Sequence, residues 1–129
     1  MSRILIVDDN PLDRMITAHV LKTCYKLGEV MVMECASDAL DYLESNKTNL
    51  QDLPSLIILD LDMPGLNGID FLEKFAQYAQ EIKNACKIVV LTASEVIADL
   101  ELMESNPNVA KLISKPLNKT ALANLIQVA

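Results

Sequence analysis

The sequence predicts an α/β fold in which helices cover both faces of a five-stranded parallel sheet, giving a three-layer, doubly wound domain. Short apolar runs of strand length alternate with longer segments of helical period, which is typical of repeated β-α units. The run Leu56–Leu59 is uniformly apolar, as expected for a central parallel strand that is buried on both faces. Right-handed crossovers would then place helices on both sides of the sheet.

The bulk composition limits the possible classes of protein. The 129 residues suit one domain spanning positions 1–129, and we expect no output domain. A net charge of -7 argues against direct nucleic-acid binding, which needs clustered Lys and Arg. No apolar run reaches the roughly 20 residues of a transmembrane helix, and the N-terminus has no signal-peptide layout. We therefore expect no membrane insertion and a cytoplasmic location.

The cysteines do not suggest a metal or redox motif. Cys24, Cys35 and Cys86 are widely spaced, and no C-x-x-C pair occurs. Each lies in an apolar stretch, so we expect buried, reduced thiols.

The first predicted strand is Arg3–Val7, and a helix follows it. Asn10 is a suitable N-cap and Pro11 a suitable first helical residue. Gly28 fits the helix end. The predicted inward stripe of this helix has i, i+4 spacing and consists of Leu12, Ile16, Val20 and Cys24.

A second strand is predicted at Val30–Cys35, and Ser37 is a candidate cap for a short helix after it. The inward residues of that helix are Ala39, Leu40 and Leu43. The polar segment that follows ends in Pro54 and predicts a loop before the third strand at Leu56–Leu59. Gly68 opens a third helix, whose inward residues are Phe71, Leu72 and Phe75.

The last part of the chain continues the alternation. A fourth strand is predicted at Lys87–Leu91, and Ser94 is a candidate cap for a helix at Glu95–Glu104. The fifth strand is predicted at Val109–Ile113, and Asn118 caps a last helix that runs to the end of the chain.

Charged or hydroxyl side chains lie at the ends of several of the predicted strands. Asp8 and Asp9 follow the first strand, Asp60 follows the third, Thr92 ends the fourth, and Lys115 lies two residues past the fifth. The carboxyl ends of parallel strands share the edge at which ligands bind in open α/β sheets. Because three neighbouring carboxylates repel each other, the pattern predicts a site for a hard cation such as Mg²⁺.

The three acids can be interpreted in two ways. A carboxylate held just past a buried strand can attack phosphorus and form an aspartyl-phosphate, although Asp60 alone could equally start a turn. Asp8 and Asp9 could cap the first helix, but Asn10 already offers that function. A cation site explains all three acids together.

Lys115 and Thr92 complete the predicted site. Pro116 disfavours a helical conformation at Lys115, so we expect an extended backbone there and an ammonium at the sheet edge. That ammonium could pair with Asp60 and then with phosphate oxygens. The hydroxyl of Thr92 could donate to a phosphoryl oxygen. Taken singly, Lys115 could be an ordinary surface lysine and Thr92 an ordinary strand residue.

The chain resembles the receiver domains of two-component response regulators. Four ordered motifs carry the resemblance, which covers essentially the whole sequence. They are Ile4–Asn10, Leu59–Gly68, Val90–Ala93 and Ser114–Pro116.

The resemblance implies a role for each site residue. In this family the residue at Asp60 accepts a phosphoryl group from the phosphohistidine of a histidine kinase or a histidine phosphotransfer protein. Asp8, Asp9 and Asp60 would bind Mg²⁺ together with the backbone carbonyl of Asp62. Thr92 and Lys115 would contact the phosphoryl group. The implied fold is flavodoxin-like, (βα)5, with strand order 2-1-3-4-5.

The resemblance also implies a signalling role rather than an enzymatic one. Such a domain catalyses only its own phosphorylation and dephosphorylation. Its signal passes to a downstream protein target or along a phosphorelay, and it exists as a monomer or a weak homodimer.

Three positions of this chain bear on how the family's phosphorylation cycle would work here. Asp62 and Ser94 occupy positions that tune phosphoryl hydrolysis in the family, so we expect Asp62→Asn to change the lifetime of the aspartyl-phosphate. Leu112 stands where many members carry Tyr or Phe. The coupling through an inward-turning aromatic ring is therefore not carried over to this chain.

Two other classes of function compete with the receiver. Asp60 and Asp62 after an apolar strand also resemble the nucleophile motif of haloacid-dehalogenase-type phosphatases, but that motif normally precedes the metal-binding acids, whereas Asp8 and Asp9 lie upstream. A flavodoxin-like cofactor binder needs a phosphate-cradling loop after the first strand, and the anionic Asp8-Asp9-Asn10 segment would repel a phosphate.

Overall fold

A computed structural model describes residues 3–24, 29–60, 68–92, 101 and 105–114. Five parallel strands form one sheet in the order β2-β1-β3-β4-β5, which confirms the predicted fold class and strand order. The strands are β1 Arg3–Val7, β2 Glu29–Met33, β3 Leu56–Asp60, β4 Lys87–Thr92 and β5 Val109–Ser114. The helices are α1 Pro11–Cys24, α2 Ala36–Ser45, α3 Gly68–Phe75 and α4 Gln80–Ala85, with a 3₁₀ turn at Leu50–Asp52.

The apolar residues of the central strands alternate between two cores because successive strand side chains point to opposite faces. On one face, Leu5 and Ile57 pack with α2 and α3, which contribute Leu43, Phe71 and Phe75. On the other face, Ile4, Ile6 and Ile58 pack with Leu21 of α1. These contacts produce the helix–sheet–helix layering that the sequence predicts.

The predicted inward stripe of α1 is wrong at its N-terminal end. Leu12 and Ile16 are exposed, whereas Thr17 and Leu21 are buried against the sheet. A helix advances 400° over four residues, so a strict i, i+4 ladder drifts by about 40° at each step and leaves the buried face. Val20 does pack against the core, and the side chain of Cys24 and the predicted stop at Gly28 lie outside the described residues.

The second strand and its helix differ from prediction by a few residues. β2 ends at Met33 rather than Cys35, and α2 begins at Ala36 after Cys35 in an extended N-cap conformation. Ser37 therefore lies inside α2 and is not its cap. The inward residues Ala39, Leu40 and Leu43 are buried as predicted.

The α4 helix was not predicted, because its six residues are too few to establish a helical period. The 3₁₀ turn interrupts the predicted loop before β3. Apart from Glu101, which is helical, the predicted helix at Glu95–Glu104 lies outside the described residues, as does the one that Asn118 would cap.

A polar cluster ties elements together at the edge of the sheet opposite the strands' carboxyl ends. Arg3 Nη1 donates to the hydroxyl of Tyr42 and to the carbonyl of Asp52, both at 3.0 Å. The Tyr42 hydroxyl donates to the same carbonyl at 2.7 Å. Arg3 Nε also lies 3.2 Å from a carboxylate oxygen of Glu29. The cluster joins β1, β2, α2 and the 3₁₀ turn.

Among the described helices, none combines the length and the apolar character needed to cross a membrane.

Candidate phosphoacceptor and cation site

The two buried acids lie side by side because their strands are neighbours in the sheet. Val7 of β1 pairs with Leu59 of β3, so Asp8 and Asp60, the next residues along, come together at the carboxyl edge. Both side chains are only 2% exposed. The strand pairing thus places two ionisable groups in a largely water-excluded position.

Asp9 joins this pair from the solvent side. One carboxylate oxygen from each of Asp8, Asp9 and Asp60 lies within 4.8 Å of the others, while Asp9 remains exposed. Asp8 and Asp60 are therefore the buried acids of the cluster, and Asp9 is its solvent-exposed member.

The loop between β1 and α1 fixes the position of Asp8. The Asp8 N–H donates to the carbonyl of Met33 at 3.1 Å, extending the pairing of β1 with β2 by one residue. The Asn10 N–H donates to Asp8 Oδ1 at 3.0 Å, and Asp8 Oδ2 is buried. Asn10 Oδ1 in turn accepts from the N–H groups of Leu12 and Asp13 at 2.9 and 3.1 Å, which confirms Asn10 as the cap of α1.

Arg14 supports the same loop from α1. Its Nη1 donates to the backbone carbonyl of Asp8 at 2.9 Å, and its Nη2 lies 3.6 Å from a carboxylate oxygen of Glu34. We did not predict this residue from the sequence. One signal was available: a cation in the first turns of a helix is disfavoured by the helix dipole unless it has a local partner.

Thr92 lies at the same edge of the sheet. It ends β4, which neighbours β3, and its side chain is 1% exposed. Thr92 pairs with Ser114, the last residue of β5 and the one before Lys115. Lys115, Asp62 and Ser94 lie outside the described residues, so their roles stay predictions. Leu112 is half-buried and packs against the core on the α2 and α3 face.

The donor set suits a hard divalent cation. Three carboxylate oxygens offer negative charge and oxygen ligands at one point, which Mg²⁺ prefers over nitrogen or sulfur. Without a cation, buried carboxylates so close together repel each other. The residues present therefore fit the metal that the sequence predicts.

The family model for the response regulator receiver domain matches residues 4–127. The chain belongs to this family. It is thus the receiver domain of a two-component response regulator, and receiver domains bind Mg²⁺ at an acidic pocket.

Solved structures and curated relatives agree with this assignment. A two-component response regulator from Cytophaga hutchinsonii is 26% identical with a TM-score of 0.89, and the match covers 99% of this chain and 96% of that one. The manganese-bound form of response regulator Rcp1 is 26% identical with a TM-score of 0.75, covering 99% and 91%. Protein-glutamate methylesterase/protein-glutamine glutaminase 5 of Myxococcus xanthus is 34% identical over 122 residues.

The methylesterase match concerns only part of that enzyme. It covers 94% of this chain but 31% of the Myxococcus protein, so the chain spans less than a third of this relative's length.

The phosphatase alternative gains no support, since none of these three proteins is a haloacid-dehalogenase-type enzyme. The receiver assignment also implies a phosphodonor, such as a histidine kinase, and downstream targets.

Proposed function

We propose that Asp60 is the phosphoacceptor and that Asp8, Asp9 and Asp60 together hold the Mg²⁺ its phosphorylation requires. The observation that carries this proposal is the clustering of three carboxylates within 4.8 Å at the carboxyl ends of β1 and β3. Asp60 is the last residue of a wholly buried strand, so its backbone is held rigidly, and its carboxylate belongs to the same cluster as the exposed Asp9.

The proposed reaction is an in-line phosphoryl transfer. A carboxylate oxygen of Asp60 bonds to phosphorus as the bond between phosphorus and the donor imidazole nitrogen breaks. The imidazole leaves with the electron pair and takes up a proton. Bound Mg²⁺ would neutralise the carboxylates and orient the phosphoryl oxygens. Water later attacks the phosphorus, the bond between phosphorus and the Asp60 oxygen breaks, and inorganic phosphate leaves as Asp60 returns to the carboxylate. In this scheme the domain catalyses only its own phosphorylation and dephosphorylation.

Other residues complete the proposed site. The Thr92 hydroxyl and the Lys115 ammonium would contact the phosphoryl oxygens, and the backbone carbonyl of Asp62 would be a further cation ligand. The buried position of Thr92 beside β3 supports its share of this role. The side chains of Asp62 and Ser94 would set the phosphate's lifetime, with Leu112 replacing the usual aromatic residue in the readout.

The surface that receives the phosphodonor is the exposed apolar face of α1. Leu12 is 64% exposed and Met15 is 70% exposed, with Ile16 beside them on the same face. These side chains begin a few residues after Asp9, in the first turns of the helix that follows it. Exposed apolar side chains at helical spacing typically pack against a partner helix. A histidine kinase or histidine phosphotransfer protein docked there would bring its phosphohistidine to Asp60.

The signal would leave through a downstream protein target or continue along a phosphorelay, with the receiver a monomer or weak homodimer in the cytoplasm. The net charge of the chain is -7, which supports a protein target over nucleic acid.

Acetyl phosphate tests the central claim without any partner protein. The parent chain and Asp60→Asn are incubated with acetyl phosphate and Mg²⁺, and intact mass is recorded. We expect one phosphoryl group on the parent, none on Asp60→Asn, and none on the parent when Mg²⁺ is chelated. Asp38→Asn, which removes an exposed carboxylate from α2, is the matched control and should be modified like the parent. A parent chain that gains no phosphate, or an Asp60→Asn variant that gains one, would refute the proposal.

A further inference from the structure

Arg14 closes a ring of contacts behind the proposed cation site. The Asp8 N–H donates to the carbonyl of Met33, and Glu34 is the next residue along the chain. Glu34 forms an ion pair with Arg14, and Arg14 donates a hydrogen bond back to the carbonyl of Asp8. The ring joins the loop that carries Asp8 to the segment after β2. The Arg14 side chain is only 16% exposed, so its guanidinium is confined between these partners.

The choice of acceptor on Asp8 is informative. The guanidinium bonds the backbone carbonyl of Asp8, whereas Asp8 Oδ1 accepts from the Asn10 N–H. Arg14 thus restrains the main chain of Asp8 through a group that is not part of the carboxylate cluster. An arginine that paired with the cluster directly would compete with a cation for the same oxygens.

Glu34 gives the guanidinium of Arg14 an anionic partner that lies outside the carboxylate cluster. Its side chain is 79% exposed and lies 3.6 Å from Arg14 Nη2, whereas the bond to the Asp8 carbonyl comes from Nη1. Because the Glu34 carboxylate is largely in solvent, the ion pair adds little to stability. Its effect is directional, because a planar guanidinium whose second nitrogen faces Glu34 is held in one orientation.

We propose that Arg14 is a positioning residue for the cation site and that Glu34 keeps the guanidinium of Arg14 away from the site's carboxylates. Arg14 holds the Asp8 main chain where the three carboxylates converge. Glu34 prevents Arg14 from acting as a built-in competitor of the metal. This assignment rests on the proposed function, since it concerns the same cation site.

Amide hydrogen exchange of the metal-free protein tests the positioning role. Arg14→Met removes the charge, whereas Arg14→Lys keeps the charge but lacks the planar fork. Both variants should speed exchange of the Asn10 amide by about fivefold or more, because local opening of the loop becomes easier. The Leu59 amide in β3 should be unchanged, which would separate this effect from general destabilisation. Unchanged Asn10 exchange in both variants would overturn the positioning role.

Lys22→Met is the matched control for charge. Lys22 is an exposed basic residue in the last turn of the same helix, so its replacement removes one positive charge far from the ring. The Asn10 amide of this variant should exchange at the parent rate. Acceleration equal to that of Arg14→Met would mean that charge alone, not the contact with Asp8, controls the loop.

Magnesium affinity in a double-mutant cycle tests the role of Glu34. Calorimetry suits a chain without tryptophan. Glu34→Gln should weaken Mg²⁺ binding about threefold when Arg14 is present, because the released guanidinium competes for the carboxylates. In the Arg14→Met background the same change should alter affinity by less than about 1.5-fold, since salt screens a distant exposed charge. Equal effects in both backgrounds would overturn the role of Glu34.

The two proposals can fail separately. If the parent binds Mg²⁺ and accepts phosphate but the double-mutant cycle is additive, the proposed function stands and only the inference about Glu34 fails. A parent that accepts no phosphate loses the proposed function, while exchange at Asn10 still decides whether Arg14 positions the loop.

Discussion

Asp8 directly follows β1 and Asp60 ends the adjacent parallel strand β3, and their carboxylate oxygens lie within 4.8 Å of each other although each residue is only 2% exposed. Two like charges at that distance destabilise the folded state when no cation lies between them. We therefore expect electrostatic repulsion at the point where the proposed chemistry occurs, and a bound cation would relieve it.

Neutralising Asp8 should stabilise the metal-free domain. Asp8→Asn keeps an oxygen that can accept from the Asn10 N–H but removes one of the three charges. We expect the free energy of unfolding without metal to rise by about 1 kcal/mol, and the extra stability conferred by Mg²⁺ to fall sharply. Urea denaturation with chelator and with saturating Mg²⁺ measures both quantities.

Asp38→Asn is the control for this measurement, because Asp38 is exposed on α2. Its two unfolding free energies should match those of the parent. If Asp8→Asn instead destabilises the metal-free domain, repulsion between the carboxylates is not the dominant force at this site.

Cys86 should make stability fall at high pH. Burial raises the pKa of its thiol from 9.0 to about 12. In the unfolded chain the thiol ionises above its ordinary pKa, whereas the folded chain keeps it protonated up to the raised pKa. The unfolded state therefore binds fewer protons across that interval, and stability falls as pH rises through it, by up to about 1.4 kcal/mol per pH unit.

Denaturation of the parent and of Cys86→Ala at a series of pH values measures this effect. The stability advantage of the parent should be constant below the thiol's ordinary pKa of 9.0 and should shrink above it. Cys35→Ala, at a half-buried free cysteine, is the comparison variant. A parent-to-Cys86→Ala difference that is constant across the alkaline range would contradict the prediction.

The strands and the buried acids could be predicted from the sequence because short-range rules determine them. Apolar runs of strand length gave the sheet, and an acid immediately after such a run must lie at its carboxyl edge. Asp8 and Asp60 therefore follow from local pattern plus one topological assumption, that their strands are neighbours. The register that pairs Val7 with Leu59 bears out that assumption.

The orientation of α1 and the role of Arg14 could not be predicted in the same way. Leu12 and Ile16 fit a helical stripe, yet the helix turns them to the surface. Periodicity identifies an apolar stripe but not which turn of the helix rests on the sheet. The bond from Arg14 to the Asp8 carbonyl depends on that rotation, so no spacing rule between the two residues predicts it.

Tyr42 should contribute to stability without affecting phosphorylation. Its hydroxyl accepts from Arg3 and donates to the Asp52 carbonyl, at the edge of the sheet opposite the acids. Tyr42→Phe removes both bonds and keeps the ring, so we expect a loss of about 1 kcal/mol in the free energy of unfolding. The rate of phosphorylation by acetyl phosphate should equal that of the parent. A slower rate in the variant would reveal coupling between the two edges of the sheet.

Met15 should matter for a protein phosphodonor and not for a small one. Its side chain is 70% exposed on α1, the helix that follows Asp9, and contributes to the proposed docking face. We take a histidine kinase that phosphorylates the parent. Met15→Glu should lower its rate of phosphoryl transfer about tenfold, because a charge would be buried at an apolar contact. Phosphorylation by acetyl phosphate should keep the parent rate, since that donor needs no docking surface.

Leu50→Glu is the matched control for Met15→Glu. Leu50 is another exposed apolar residue, 43% exposed, and belongs to the 3₁₀ turn before β3 rather than to α1. Both variants should unfold within about 0.5 kcal/mol of the parent, because neither side chain is buried. Kinase transfer slowed only by Met15→Glu would locate the donor on α1. Equal slowing by both variants, or a loss of acetyl phosphate reactivity in Met15→Glu, would contradict a docking role for that face.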